Sequence, residues 1–197
     1  MTPIVLVDSG GANIGSVKYA LGRLGVEAQI SADEREIRSA DKVIMPGVGA
    51  AGAGMARLNA NGLAAIVPTL KQPVLGICLG MQLMFESSAE DQTQALGIFS
   101  GRAELIPGSP DLRVPHMGWN TLNPLNSCPL LATITVEDYA YFVHSYALPV
   151  TEQTAASANH GNDFCAVVWR DNFYGTQFHP ERSAGVGARI LENFLKL

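Results

Sequence analysis

One cysteine of this sequence has a context that suits nucleophilic catalysis. Cys78 lies in Gly76-Ile77-Cys78-Leu79-Gly80, directly after an apolar run, Pro73 to Ile77, that predicts a buried strand. The pattern has the form of a nucleophile elbow, in which a sharp strand-to-helix turn strains the middle residue and presents its side chain above the sheet. A helix start favours the thiolate over the thiol, and the backbone N–H of Leu79 would face a developing oxyanion.

A cysteine nucleophile requires an imidazole base, which a third group orients. His179 is the best placed of the four histidines, because Gln177-Phe178-His179-Pro180-Glu181 directly follows a predicted strand. Pro180 stiffens the backbone between the two side chains, so that the Glu181 carboxylate could reach the distal ring nitrogen. The sequence therefore predicts a triad of Cys78, His179 and Glu181.

The other cysteines and histidines favour structural roles. Cys128 and Cys165 lack an elbow, and three cysteines without C-x-x-C spacing indicate neither a disulfide framework nor a metal site. His116 and His144 lie in ordered runs typical of hydrogen-bonded packing residues. His160 lies in a polar segment that predicts a solvated loop.

A glycine-rich loop follows the predicted strand Lys42 to Met45. Gly47-Val48-Gly49-Ala50-Ala51-Gly52 matches the G-x-G-x-x-G pattern of dinucleotide-binding turns. That motif also requires an acidic residue about twenty positions further on, and no Asp or Glu occurs between Asp41 and Glu86. The sequence therefore disfavours NAD binding. It leaves open whether the loop supplies backbone N–H groups to an oxyanion or is simply a flexible turn.

The elements that must position these residues indicate a mixed α/β fold. Short apolar runs alternate with helical patterns in the first half, which predicts parallel strands with helices on both faces of the sheet. From Leu96 to about Gln177 the runs are strand-like. Helices are predicted after a cap at Asn13, from Met55 to about Val67, and from Leu79 to Phe85. An amphipathic helix, Val186 to Leu195, closes a single predicted domain, residues 1–197.

Composition excludes several other classes of protein. The formal net charge is -5, so a phosphate-binding face is not expected and nucleic acid is an unfavourable ligand. No apolar run is long enough to span a bilayer. The N-terminal residues predict a buried strand rather than a positively charged leader. Together these features predict a cytoplasmic protein.

The motifs together resemble the class I, or triad, glutamine amidotransferases. The resemblance rests on Pro46 to Gly49, on Gly76 to Gln82 and on Gln177 to Glu181, and it extends over the whole chain. It implies a flavodoxin-like fold, with a mixed, mostly parallel sheet, helices on both faces and an antiparallel sheet segment. It implies neither a cofactor nor a metal ion.

The resemblance also implies roles for individual residues in hydrolysing L-glutamine. Cys78 would attack the carboxamide and form a thioester, His179 would activate the thiol and protonate ammonia, and Glu181 would orient His179. The remaining residues form two groups. The oxyanion would contact Leu79, Val48 and Gly49, the last two after a rearrangement, and the substrate would contact Gly47, Gln82, His144, Ser145 and Tyr146.

Two segments are similar to one branch of this family, the glutaminase subunits of imidazole glycerol phosphate synthases. They are Pro115 to Asn120 and Tyr141 to Tyr146, with Asp171 to Gly175 as further support. That branch implies a heterodimer with a (β/α)₈-barrel cyclase, which receives ammonia in histidine biosynthesis. The sequence departs from the family in the loop Asp8 to Asn13, where Ser9 replaces an aromatic residue and Ala12 a glycine, so coupling to the partner there is open.

Three other functions remain possible on the sequence. The first is a glutaminase subunit for another acceptor, such as an anthranilate or purine precursor. The second is a stand-alone cysteine hydrolase or peptidase. The third is a non-catalytic interaction module, which the presence of Cys78, His179 and Glu181 disfavours.

Overall fold

A computed structural model describes residues 4–8, 13–110 and 112–197. The strands are β1 (Ile4–Val7), β2 (Ala28–Ser31), β3 (Lys42–Gly47), β4 (Val74–Cys78), β5 (Ser87–Ser88), β6 (Thr93–Gln94), β7 (Arg102–Leu105), β8 (His116–Thr121), β9 (Asn123–Pro124), β10 (Tyr139–His144), β11 (Tyr146–Ala147), β12 (Thr154–His160), β13 (Asn162–Arg170) and β14 (Phe173–Thr176). The helices are α1 (Ile14–Arg23), α2 (Glu34–Ser39), α3 (Ala51–Ala60), α4 (Leu63–Ile66), α5 (Leu79–Gln82) and α6 (Ala184–Leu195), with 3₁₀ turns at Val67–Thr69, Glu90–Gln92, Pro129–Leu131 and Pro180–Arg182. Ser9 and Ala12, where the sequence departs from the family pattern, lie outside the described residues.

An eight-stranded sheet has the order β2-β1-β3-β4-β14-β13-β12-β9. Its first five strands are parallel, and the last three are antiparallel to their neighbours. The order 2-1-3-4 followed by a fifth parallel strand is the flavodoxin-like arrangement, which binds ligands beyond the carboxyl ends of the strands. The predicted fold class, a mostly parallel mixed sheet with an antiparallel segment, is confirmed.

Alternating side chains of the parallel strands bury apolar surface on both faces of this sheet. On one face, Ile4 and Leu6 of β1 belong to the cluster that includes α1 and α6. On the other, Val5 and Val7 of β1 belong to the cluster that includes α2, α3 and α5. Strands buried on both sides read as continuous apolar runs, which explains why this half of the fold was predictable.

Two predicted helices are shorter than expected. The helix predicted from Met55 to about Val67 is interrupted, because Gly62 adopts a left-handed conformation with φ +71° between α3 and α4. The helix predicted from Leu79 to Phe85 ends at Gln82, and the chain then turns toward β5. The final helix begins at Ala184, two residues before its predicted start.

The described residues form two smaller sheets in addition to the large one. β10 pairs with β8, and β11-β7-β5-β6 form a four-stranded sheet. β7, β8, β10 and β11 lie in the stretch from Leu96 onward where strand-like runs were predicted, whereas β5 and β6 precede it and were not predicted. Over the described ranges, none of the helices combines the length and apolar character needed to cross a membrane.

Candidate active site

The nucleophile elbow is formed where β4 meets α5. Cys78, the last residue of β4, has φ 53° and ψ −110°, a conformation that L-residues adopt at a cost. After this turn α5 packs directly on the neighbouring strand β3, at a distance that only a glycine allows. A Cβ atom on Gly80 would lie 1.8 Å from the carbonyl oxygen of Met45, so this position excludes every side chain. The strained strand-to-helix turn expected from the glycine spacing is therefore present.

Hydrogen bonds to its backbone fix the position of His179 in the short segment that follows β14. Its backbone N–H donates to the carbonyl of Tyr141 at 3.0 Å, and its own carbonyl accepts from Ser183 Oγ at 2.7 Å. The ring Nδ1 lies 2.7 Å from Glu181 Oε1, and both side chains are buried, with 3% and 0% exposure. The predicted pairing of the distal nitrogen with Glu181 is therefore present.

A third side chain completes this arrangement. Asn13 Nδ2 donates to Glu181 Oε1 at 2.5 Å and lies 3.3 Å from His179 Nδ1. The predicted cap at the start of α1 is wrong, since Asn13 precedes the helix but its side chain caps no backbone N–H. Its backbone is already helical, with φ −91° and ψ −6°, whereas a capping side chain requires an extended backbone.

The charge state of His179 follows from its neighbours. Burial alone would lower the pKa of this imidazole, but interactions with Cys78 and Glu181 raise the pKa to about 10. The Nε2 atom is buried and has no partner at normal hydrogen-bond geometry among the described residues, although the interaction with Cys78 contributes most to raising the pKa. At neutral pH the site therefore favours an imidazolium beside Cys78.

Two further groups contact the Cys78 sulfur. Sγ lies 3.8 Å from the carbonyl oxygen of Val143, to which the thiol can donate. The side-chain amide of Gln177 donates from Nε2 to Sγ at 3.7 Å. Sequence reasoning included Gln177 in a motif but gave it no role. Its position two residues before His179 in a strand-like run was a signal that both side chains point the same way, because alternate residues of a strand share a face.

A cavity of about 290 Å³ opens beside Sγ, a volume at the lower end of the range for small-molecule sites. Its lining includes most of the residues predicted to contact the oxyanion or substrate. They are Val48, Gly49, Leu79, Gln82, His144, Ser145 and Tyr146, together with Cys78 and His179. Gly47 is not among the lining residues; it packs against α5, where an added Cβ would lie 2.6 Å from the Gly80 nitrogen.

The loop expected to serve the oxyanion runs past the nucleophile. Gly47 pairs with Cys78, the last residue of β4, so Val48 and Gly49 lie beyond the end of that strand. Gly49 has φ +95°, which favours glycine. The next helix, α3, begins immediately afterwards, and the N–H of Ala51 donates to Glu90 Oε2 at 2.8 Å.

Glu90 is a site residue that sequence reasoning missed. The residue lines the cavity, and its carboxylate accepts the hydrogen bond from the start of α3. Nothing in its local sequence predicts this position, since it lies in a 3₁₀ turn between two short strands. A carboxylate at the cavity wall provides an acceptor for a cationic group of a ligand.

The buried pair His116 and His144 forms a directed hydrogen-bond chain. His144 Nδ1 donates to the Tyr146 carbonyl at 2.9 Å, so its Nε2 accepts from His116 Nδ1 at 3.1 Å. His116 Nε2 in turn accepts from Asn120 Nδ2 at 3.3 Å. The prediction of hydrogen-bonded packing roles is confirmed for both. The segment predicted as a solvated loop around His160 is exposed at residues 159 and 161–163, but it forms a tight hairpin between β12 and β13 rather than a loop. The ring of His160 stacks on His116 with centroids 4.1 Å apart.

The two remaining cysteines have the character predicted for them. Both thiols are buried, and burial raises the pKa of Cys128 to about 11 and the pKa of Cys165 to about 12. A thiol of such a high pKa is a poor nucleophile near neutral pH. Cys78 is therefore the cysteine whose surroundings fit catalysis.

Comparisons with known proteins identify the family and agree with the fold. The family model for glutamine amidotransferase class-I matches residues 5–197. The imidazole glycerol phosphate synthase subunit HisH of Xylella fastidiosa (strain Temecula1 / ATCC 700964) is 52% identical over 197 residues, which cover 100% of this chain and 98% of that protein. The subunit HisH of Xanthomonas campestris pv. campestris (strain 8004) is also 52% identical, with the same coverage.

Solved structures with lower identity share the fold. A putative GMP synthase protein from Thermoplasma acidophilum has a TM-score of 0.76 at 22% identity, covering 100% of this chain and 93% of the other. PurLQS from Thermotoga maritima has a TM-score of 0.74 at 17% identity, covering 100% and 99%. At these identities the likeness concerns the fold alone.

Proposed function

This chain belongs to the class I glutamine amidotransferases, and we propose that it is the subunit of an imidazole glycerol phosphate synthase that releases ammonia from L-glutamine. One observation carries the proposal: the strained Cys78 and the His179 of a buried His179–Glu181 pair line the same cavity. The relatives at 50–52% identity bear the name of that synthase's HisH subunit. We treat residues 1–197 as one glutamine amidotransferase domain.

The proposed reaction proceeds through a thioester. Cys78 Sγ attacks the carboxamide carbon of glutamine, and the oxyanion is stabilised by backbone N–H groups of Leu79 and of the Val48–Gly49 segment. His179 transfers a proton to the departing nitrogen, so that ammonia leaves. The neutral imidazole then accepts a proton from water, which hydrolyses the thioester to glutamate and frees the sulfur. Glu181 keeps the ring oriented throughout.

The cavity suits the amino-acid end of glutamine. Glu90 offers a carboxylate oxygen to the α-ammonium group, and Gln82 offers its Oε1, because both Nε2 hydrogens of Gln82 are already donated. Ser145 and Tyr146 bring backbone groups to the same wall. A substrate held at this end has its carboxamide directed toward Cys78.

An exposed apolar surface supports the proposal of a partner subunit. Met117 and Trp119 of β8 and Tyr139 of β10 are exposed by 63%, 53% and 53%, on the two-stranded sheet whose β10 end, at Val143 and His144, lines the cavity. Apolar patches of this kind mark protein contacts. We propose that a (β/α)₈-barrel cyclase covers this surface. The cyclase would receive ammonia and form imidazole glycerol phosphate and aminoimidazole carboxamide ribonucleotide. This step of histidine biosynthesis would take place in the cytoplasm.

The test compares glutamine hydrolysis by wild type and Cys78→Ser, each alone and with a liganded cyclase. We expect wild type to be nearly inactive alone and active in the complex, because an oxyanion site that is not yet arranged forfeits about 3–4 kcal/mol of transition-state stabilisation. Cys78→Ser should release no ammonia in either state. Cys128→Ala, which changes a buried thiol outside the cavity, serves as the matched control and should retain turnover.

Three results would contradict parts of the proposal. Full turnover by Cys78→Ser would exclude the triad. High activity of wild type without a cyclase, or on peptides and esters, would instead favour a stand-alone cysteine hydrolase. Activation by an anthranilate or purine synthase partner, but not by the cyclase, would assign the chain to another acceptor.

A further inference from the structure

We propose that Gln177 is a further catalytic residue, whose side-chain amide donates a hydrogen bond to the Cys78 thiolate and connects the nucleophile to the substrate-binding wall. This inference rests on the proposed function and deepens it, because it names a second group that acts on the same sulfur. The residue is fully buried directly after β14, two positions before His179.

A continuous hydrogen-bond chain carries the inference. Gln177 Nε2 donates to Cys78 Sγ at 3.7 Å, a normal separation for a sulfur acceptor. Gln82 Nε2 donates to Gln177 Oε1 at 2.9 Å. The second hydrogen of Gln82 Nε2 is donated to the carbonyl of Tyr146, also at 2.9 Å. The chain therefore begins at a backbone carbonyl of the cavity wall and ends at the sulfur.

The direction of this chain is fixed by its first member. A backbone carbonyl can only accept, so Gln82 must present Nε2 to Tyr146. The other hydrogen on that nitrogen then requires an acceptor, which is Oε1 of Gln177. With its oxygen engaged, Gln177 can present only its NH₂ group to Cys78. The oxygen and nitrogen of an amide have nearly the same shape, and here the hydrogen-bond network decides which of them faces the sulfur.

A donor at this position favours the ionised sulfur. The thiol can donate to the Val143 carbonyl at 3.8 Å and accept from Gln177 at the same time. On ionisation the contact with Val143 brings a carbonyl oxygen against a negative sulfur, whereas the hydrogen bond from Gln177 becomes charge-assisted and stronger. Gln177 and His179 would therefore stabilise the thiolate from separate directions, one as a neutral donor and one as a cation.

Other ionisable groups share the surroundings of the sulfur and affect its reactivity. They come from the segment after β14, from the 3₁₀ turn after β5 and from β10 and β11: His179, with Glu181 behind it, Glu90, His144 and Tyr146. The side chains of His179, Glu90 and His144 bond to groups other than the Gln177 amide, so replacing Gln177 leaves those hydrogen bonds in place.

The test measures alkylation of Cys78 by iodoacetamide between about pH 5 and pH 10, together with kcat and KM for ammonia release in the complex with the cyclase. Gln177→Met keeps the volume and removes the donor. We expect the midpoint of its alkylation profile to move up by about one pH unit, and kcat to fall on the order of tenfold, with a smaller change in KM. Gln177→Glu, which places a carboxyl group beside the sulfur, should move the midpoint further in the same direction.

A control separates this role from a merely structural one. Asn172 donates to the carbonyls of Leu70 and Gln72 at 3.0 and 2.8 Å, away from the cavity. Asn172→Leu also deletes a partly buried amide and should reduce stability, but its alkylation profile should match that of wild type. The same lowering of thermal stability without a pH shift in Gln177→Met would overturn the proposal.

The remaining outcomes also decide the question. If Gln177→Met does not fold, the nearly isosteric Gln177→Glu variant still allows the pH profile of Cys78 alkylation to be measured. An unshifted or downward-shifted profile in that variant overturns the role of Gln177. The alkylation measurement requires no glutamine. If wild type alkylates at Cys78 with the expected profile, and the variants shift it, while the complex releases no ammonia, the role of Gln177 stands and the proposed function fails.

Discussion

Acid should destabilise this protein through its buried histidine pair. His116 and His144 are 4% and 6% exposed, and their hydrogen-bond chain satisfies both rings only in the neutral form. Burial, with a smaller contribution from nearby His160, lowers the pKa of His116 to about 4. Burial likewise lowers the pKa of His144 to about 3, although the hydrogen bond to Tyr146 partly opposes it. The perturbation of interest is His116→Asn, which removes one titrating ring.

The size of the effect follows from proton linkage. An unfolded histidine binds a proton below a pH of about 6.5, whereas these rings in the folded state stay neutral down to about pH 4 and about pH 3. The unfolded state therefore binds more protons in that window, and the free energy of unfolding falls as pH falls. Between pH 7 and pH 5 each ring removes roughly 2 kcal/mol of stability, so the pair removes roughly 4 kcal/mol.

Urea denaturation at pH 7 and pH 5 measures this contribution. His116→Asn can retain a donor toward His144, while Asn120 keeps its 2.7 Å bond to the Asn159 carbonyl. The variant should be less stable than wild type at pH 7, and the gap should shrink by roughly 2 kcal/mol at pH 5. Carboxylates titrate alike in both proteins, so their contribution cancels from the difference.

The control is Phe142→Leu, which disturbs the same cluster without removing a titrating group. The ring of Phe142 lies 5.0 Å from that of His116, centroid to centroid. Its loss should lower the free energy of unfolding by about 1 kcal/mol at both pH values. A gap between wild type and His116→Asn that stays constant from pH 7 to pH 5 would refute the reasoning, because it would mean that the folded protein binds a proton there as readily as the unfolded chain.

Three other substitutions probe the elbow, the cavity and the triad. Gly80→Ala places a methyl group against the Met45 carbonyl; it should cost about 3 kcal/mol in urea denaturation and abolish turnover, and an unchanged stability would contradict the packing of α5. Glu90→Gln should raise KM for glutamine on the order of tenfold with kcat little changed, since the amide oxygen can still accept from α3; an unchanged KM would exclude the α-ammonium contact. Asn13→Ala should lower kcat on the order of tenfold with KM nearly constant, because the carboxylate of Glu181 loses a donor, and equal kcat values would remove Asn13 from the site.

The elements whose signals are local could be predicted from the order of the amino acids. The continuous apolar runs predicted strands buried on both faces, and the glycine spacing around Cys78 predicted the elbow, because a strand-to-helix turn is built from adjacent residues. The pairing of His179 with Glu181 was predictable for the same reason, since only Pro180 separates them in the chain. Helix ends were less predictable: Gly62 interrupts a helix whose apolar period continues beyond it.

The distant side chains that complete the site could be identified only from the folded structure. Asn13 lies 168 positions from Glu181, and Gln177 lies 99 positions from Cys78, yet both pairs are in hydrogen-bond contact. Asn13 fits a helix cap in sequence, and the local motif of Gln177 did not indicate which atom it contacts. Glu90 had no local signal at all. Such contacts depend on the register of parallel strands whose carboxyl ends meet at one sheet edge, and that register is set by packing across the whole fold rather than by any short segment.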